Sequence, residues 1–158
     1  MKRKAIATMV ITLFLTLAVM ALPLVSVSAQ PMKPLRCEME LTFDLGLPDP
    51  HWIGTVTGDI EGTIEFWEFW DQNYVVGKTE HFFERFLITT DGGDTIEGFD
   101  QGVWNFGTTF KFRANGWVTE ASGDWAYLVG YKMFEIGMTS PFPPSPVYGT
   151  ATMILVYG

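Results

Sequence analysis

The sequence predicts an all-β protein, a single antiparallel barrel of about eight strands, with a β-sandwich as the alternative. Two observations carry this prediction. Eight runs rich in aromatic and β-branched residues alternate with turns rich in Gly, Pro, Asn and Asp, and no long helical pattern interrupts them. Several runs also exceed the usual five or six residues of a strand, and long strands joined as hairpins can close into a barrel without exposed edges.

The N-terminus has the pattern of a secretory signal peptide. Three basic residues precede an apolar run over residues 5–22, and the small residues after it end at Ala29, where we expect cleavage. An uncleaved membrane anchor is the alternative, because the run approaches the length of a bilayer span. The chain accordingly divides into a signal peptide (1–29), an extended tether (30–35) and a barrel domain (36–158).

Length and charge limit the partners. About 129 residues follow position 29, which suits one domain, secreted or held in the cell envelope. The formal net charge of the whole chain is −8, and loss of the basic N-terminus makes it more negative. This negative charge would repel the phosphates of a nucleic acid, so we expect no nucleic-acid partner. If the protein has a charged partner, the same charge favours a cationic one. Membrane contact is expected only if the N-terminal segment stays attached.

The strand runs can be taken in chain order. The first alternates most clearly, with four apolar side chains on one side and acidic or threonine side chains on the other. The expected strands cover residues 36–44, 52–57, 60–66, 75–90, 95–106, 108–121, 125–136 and 147–157. At residues 67–70 apolar side chains fall on both faces, so a single helical turn is the alternative there.

The hairpin over residues 108–137 is expected to turn at residues 122–124. Its second strand is apolar on nearly both faces and therefore needs cover from outside. The proline-rich loop at 141–146 is the nearest candidate, and a partner or membrane is the alternative. In the strand before the hairpin, Gly98 and Gly102 predict bulges or bends.

Two segments carry a resemblance to a known family. Residues 55–63 read TVTGDIEGT and residues 116–130 read GWVTEASGDWAYLVG. They resemble the small barrels of the allene oxide cyclase and dirigent type, which are calycin-like. The resemblance implies an eight-stranded antiparallel barrel around an apolar cavity and chemistry on fatty-acid or phenolic intermediates. It assigns no catalytic residue in this chain.

No motif for metal or nucleophile chemistry is present. His51, His81 and Cys37 lack metal-ligand spacing, and the chain has neither a nucleophile elbow nor a phosphate-binding loop. Residues 91–94 offer too few oxygens for calcium and predict a turn. We therefore expect no cofactor, no metal and no catalytic residue. As the only cysteine, Cys37 is expected to be buried or linked to a partner.

Charges inside apolar strands are the best candidates for a site. Glu84 and Arg85 are adjacent, so without a bulge one of them must face inward, either as a structural ion pair or as a polar handle in a ligand pocket. We expect Arg85 to be the inward residue. The residues expected to bind a ligand are His81, Phe83, Arg85, Trp104, Arg113, Tyr131 and Glu135.

Together these patterns predict a secreted barrel that binds a small apolar or aromatic ligand, and they favour a non-enzymatic role. A cyclase or isomerase on the same barrel is one alternative. A surface module for glycans or proteins is another, because Trp67 and Trp70 could stack on a sugar ring if they are exposed. The sequence leaves open whether side chains fill the barrel or leave room for a ligand.

Overall fold

The computed structural model describes residues 33–46, 48–141 and 145–158. The predicted signal peptide and residues 30–32 of the predicted tether lie outside these ranges, as do residues 142–144 of the proline-rich loop. Within the described ranges, no helix is both long enough and apolar enough to cross a membrane.

The protein is a closed antiparallel barrel of eight strands with one short extra strand. The strands are β1 (Leu35–Phe43), β2 (Trp52–Gly58), β3 (Gly62–Glu68), β4 (Tyr74–Val76), β5 (Thr79–Thr90), β6 (Thr95–Trp104), β7 (Lys111–Ala121), β8 (Lys132–Thr139) and β9 (Val147–Val156). Their order is β3-β2-β1-β9-β8-β7-β6-β5-β4, and pairing of β3 with β5 closes the ring. The predicted barrel is confirmed.

The alternation that predicted the strands also builds the core. In β1 every second residue from Cys37 to Phe43 is buried, and the residues between them are exposed or half-buried. The same period of two runs through β5 and β9. The side chains that point inward fill the middle of the barrel, so burial of these apolar faces accounts for most of the stabilisation.

The two ends of the barrel differ. At one end, Ile60 from the β2–β3 loop and Leu128 from a 3₁₀ helix (Gly123–Leu128) are buried in the core. At the other end β3 finishes at Glu68, and β4 pairs with the first residues of β5 where β3 no longer does. We call this second end the mouth; Phe43, Trp52 and Trp104 also lie there.

Two predicted strands are wrong in detail. The run over residues 75–90 is divided by a turn at Gly77, whose φ of +64° suits glycine, so β4 and β5 form a hairpin. The strand expected from residue 125 begins only at Lys132. Its first part is the 3₁₀ helix: Leu128 is buried, whereas Ala126 and Gly130, which a strand would place on the same face as Leu128, are exposed. The bulge expected at Gly98 is confirmed by a register shift between Glu97 and Gly98.

The outer face of β8 is apolar and exposed. Phe134, Ile136 and Met138 are 47%, 64% and 49% accessible. The cover expected from the proline-rich loop is not seen in its described residues, where Pro141 is itself exposed.

Cys37 is fully buried on the inner face of β1. Burial raises the pKa of its thiol to about 11, and only the thiolate reacts readily. We therefore expect the native protein to react with a disulfide reagent such as DTNB at least 100-fold more slowly than the chain unfolded in guanidinium, measured by release of the chromophore. One equivalent of rapid reaction in native buffer would contradict this burial and would reopen the partner-linked alternative.

Candidate functional site

Acidic side chains are concentrated inside the barrel near the mouth. Five carboxyl groups lie on inward-facing positions of four strands: Glu68, Glu80, Glu84, Asp100 and Glu135. Three of them are almost completely inaccessible, with Glu84 at 6% and Asp100 and Glu135 at 4%. Acidic residues are seldom buried to this degree without partners, so this interior is the most unusual feature of the chain.

Strand register brings these groups together. Glu68 on β3 lies opposite Glu84 on β5, and Glu84 lies opposite Asp100 on β6. Across the next pair of strands Asp100 faces Gly116, and Glu135 on β8 faces Ala114. Small residues at these two positions of β7 leave space that the carboxyl groups occupy.

Glu84, Asp100 and Glu135 form a compact group, which we call the carboxyl triad. One oxygen from each lies within 4.8 Å of the others. Within the described ranges, both oxygens of Asp100 and Oε2 of Glu135 are buried and accept no hydrogen bond from a fixed N–H or O–H donor; a proton held between Glu84 and Asp100 would join those two carboxyl groups. Buried polar atoms are rarely left unpaired, so each such atom needs a proton or a ligand to account for it.

Electrostatics inside the barrel favour the neutral acids. Burial raises the pKa of Asp100 to about 8, and burial also holds the pKa of Glu84 and of Glu135 well above the usual range. Burial, together with the charge of Glu80, raises the pKa of Glu68 to about 7, although hydrogen bonds to its carboxylate partly oppose this. Near neutral pH the interior therefore holds protons that a cation could replace.

A pocket of about 40 Å³ opens from the mouth onto this acidic interior. Its walls combine carboxyl groups with apolar and aromatic side chains: Leu41, Trp52, Phe66, Glu68, Glu80, Phe82, Glu84, Trp104, Phe112, Glu135 and Thr139. No basic side chain is among these lining residues. The volume suits a few water molecules or a small chemical group, and it is well below the roughly 300 Å³ of ordinary small-molecule sites.

Hydrogen bonds fix the polar wall of the pocket. Trp52 Nε1 donates to Oε1 of Glu68 at 3.2 Å, and Asn73 Nδ2 donates to Oε2 at 2.7 Å. Trp104 Nε1 donates to Thr139 Oγ1 at 3.0 Å. Glu68 and the two tryptophan rings are therefore held in place before any ligand arrives.

Six of the seven expected ligand-binding residues separate into three groups, and Arg85 lies elsewhere on the outer surface. Trp104 and Glu135 line the pocket. Tyr131 is buried at the opposite end of the barrel, beside the 3₁₀ helix. His81, Phe83 and Arg113 share an open stretch of the outer surface. Whether any of them binds a ligand stays a prediction, but only two of the seven face the pocket.

The inward orientation expected for Arg85 is wrong. Arg85 lies on the outer face of β5, where its guanidinium donates two hydrogen bonds to Glu97 at 2.7 and 3.0 Å and sits 5.1 Å from the centre of the Trp67 ring. Its neighbour Glu84 faces inward instead. A carboxyl group can become neutral by taking up a proton, whereas a guanidinium cannot lose one in a protein, so the barrel buries the acid.

Sequence reasoning missed Asp100, Glu80 and the role of Glu68. A signal was available for Asp100, because the period of two in β6 places it on the same face as the buried Ile96.

Comparison with known proteins adds no relative: no protein-family model, curated protein or solved structure matches this chain.

Proposed function

We propose that this protein is a secreted binding barrel that receives the positively charged head group of a small molecule in the pocket at its mouth. The observation that carries the proposal is the composition of the pocket, whose ionisable lining residues are all acids and whose other walls are largely aromatic. The secreted location is inferred from the basic and apolar pattern of residues 1–29.

Charge selects the ligand class. Removing a carboxylate from water is costly unless a partner compensates it, and a bound cation would supply that partner for Glu68 and Glu80. Trp52 and Trp104 add aromatic surface, which attracts ammonium groups through the ring quadrupole. An anionic head group would be repelled, and a neutral one would leave the carboxylates unpaired.

Size limits how much of the ligand enters. A volume of about 40 Å³ accommodates a primary ammonium group and little more. The apolar or aromatic remainder would stay at the mouth, where Trp70 and Tyr74 are 56% and 52% accessible. The proposal thus keeps the apolar ligand predicted from the sequence and adds a cationic end to it.

The test compares amines with neutral molecules of the same shape. Benzylamine and butylamine are titrated at pH 7.5 against benzyl alcohol and butanol, with tryptophan fluorescence and calorimetry as readouts. We expect the amines to bind at least tenfold more tightly than the alcohols, because only they compensate the carboxylates.

Charge-matched variants locate the binding. Glu68→Gln should weaken amine binding at least tenfold, since it removes the carboxylate that two hydrogen bonds hold in the pocket wall. Glu61→Gln removes the same charge from an exposed position outside the pocket and should leave binding unchanged. Equal binding of amines and alcohols, or equal loss in both variants, would overturn the proposal.

A further inference from the structure

We propose that the carboxyl triad of Glu84, Asp100 and Glu135 is a binding site for one divalent cation, with Ca²⁺ as the best fit. The site lies inside the barrel, where Glu84 and Glu135 also border the mouth pocket. It is a second site, and it does not depend on amine binding.

The spacing of the oxygens suits a single ion. One oxygen from each of the three residues lies within 4.8 Å of the others. Because Ca²⁺–oxygen bonds are about 2.3–2.6 Å long, ligands on opposite sides of one ion are about 5 Å apart. The three side chains can therefore reach the same ion with little movement.

The unpaired oxygens are an independent sign of a ligand. Asp100 is 4% accessible, and in the described structure neither of its oxygens nor Oε2 of Glu135 accepts a hydrogen bond from a fixed N–H or O–H donor. A proton shared between Glu84 and Asp100 would satisfy only part of this set. The nearest candidate for a compensating positive charge on β5, Arg85, lies on the outer face and is engaged by Glu97. A cation would neutralise the negative charge of these oxygens and bind all of them, whereas protons alone would leave some of the oxygens without a partner.

The donor set selects the kind of ion. Three carboxylates provide up to six hard oxygen ligands, and the small pocket beside them has room for water. Nitrogen and sulfur ligands that would favour zinc or copper are not part of the group. Mg²⁺ demands a near-ideal octahedron of shorter bonds, while Ca²⁺ tolerates irregular geometry, so Ca²⁺ is preferred.

The two proposed sites are compatible in charge. A divalent cation on three carboxylates leaves one negative charge, and Glu68 and Glu80 remain at the pocket wall. The mouth would stay attractive to an ammonium group with the ion in place.

The experiment uses the whole protein freed of metal with a chelator. Calorimetry at pH 7.5 with CaCl₂ should show one ion per chain, and the melting temperature should rise with the logarithm of CaCl₂ concentration once the site is saturated. MgCl₂ should bind at least tenfold more weakly. Absence of any calcium effect on the wild-type protein would overturn the proposal and would leave protons as the partners of the triad.

Variants decide where the ion sits. Asp100→Asn and Glu135→Gln keep the shape of the side chain and should each weaken calcium binding at least tenfold, with circular dichroism showing that the barrel is folded. Glu40→Gln removes the same charge from the exposed outer face of β1 and should have no effect. If both triad variants bind calcium like the wild type, the ion is elsewhere on the acidic surface and the assignment is wrong. Each variant replaces a buried ionisable side chain by a neutral one of the same shape, so it adds no charge to the interior of the barrel. We therefore expect at least one of the two variants to fold.

Discussion

In a calcium-free buffer, we expect the barrel to lose stability steadily as the pH rises from about 4 to about 8. Burial raises the pKa of Asp100 from an ordinary 3.8 to about 8 and raises the pKa of Glu84 and of Glu135 in the same direction. In this pH range the folded protein therefore binds more protons than the unfolded chain. By linkage, stability is fully present below the unfolded pKa and is lost as the pH passes through the folded pKa.

The effect should be large. For Asp100 alone, the difference between 3.8 and about 8 corresponds to a loss on the order of 5 kcal/mol. Domains of this size are stable by only about 5–15 kcal/mol in total, and the melting temperature should fall by roughly 15 °C. The groups that face Asp100 are the acids Glu84, Glu135 and Glu68, all with a raised pKa. A hydrogen bond with Glu84 lowers the pKa of Asp100 in part, but burial outweighs it.

Thermal melting in chelator from pH 4 to pH 8.5 measures this loss. Asp100→Asn removes one of the titrating groups and should flatten the profile, so that the variant is more stable than the wild type at pH 8. Glu40→Gln, on the outer face of β1, should keep the wild-type slope. A wild-type stability that is constant or increases over this range would show that the triad is ionised and compensated in the folded protein.

Much of the fold could be predicted because strand alternation is a local property. In β1 and β9 the alternation of apolar and polar side chains can be read from consecutive residues. Gly98 likewise indicated the bulge between β6 and β7. The errors arose where a local pattern is ambiguous. Residues 125–131 are as apolar as a strand, but their burial follows a 3₁₀ helix that packs Leu128 into the end of the barrel. That packing depends on residues distant in sequence.

The site was less predictable because it depends on register between strands. Sequence alone shows that Glu84 or Arg85 must face inward, but the choice depends on whether an outer partner such as Glu97 is available across the sheet. Pairing of β5 with β6 places Asp100 opposite Glu84, and pairing of β7 with both β6 and β8 then brings Glu135 within reach of the two. A cluster of this kind has no sequence motif, since its spacing is set by the width of the barrel.

Gly116 provides a second large prediction, because it joins the site to the backbone. It lies on β7 directly opposite Asp100. A Cβ atom at this position would collide with the carbonyl oxygen of Phe99 and would lie 2.6 Å from Cβ of Asp100. Both obstacles belong to the backbone or its first side-chain atom, so no rotamer change relieves them, and β6 and β7 would have to separate.

We therefore expect Gly116→Ala to lower the free energy of unfolding by roughly 2–3 kcal/mol, measured by urea unfolding at pH 5, where the acids are protonated. Gly92→Ala is the matched control, because Gly92 lies in an exposed turn and a Cβ atom there would be 3.7 Å from its nearest neighbour, Oγ1 of Thr90. This variant should change the free energy of unfolding by no more than about 0.5 kcal/mol. If the two variants are equally stable, the strands do not approach as closely at Asp100 as the structure has them. The carboxyl triad would then be more open, and the case for a cation held between its three strands would weaken with it.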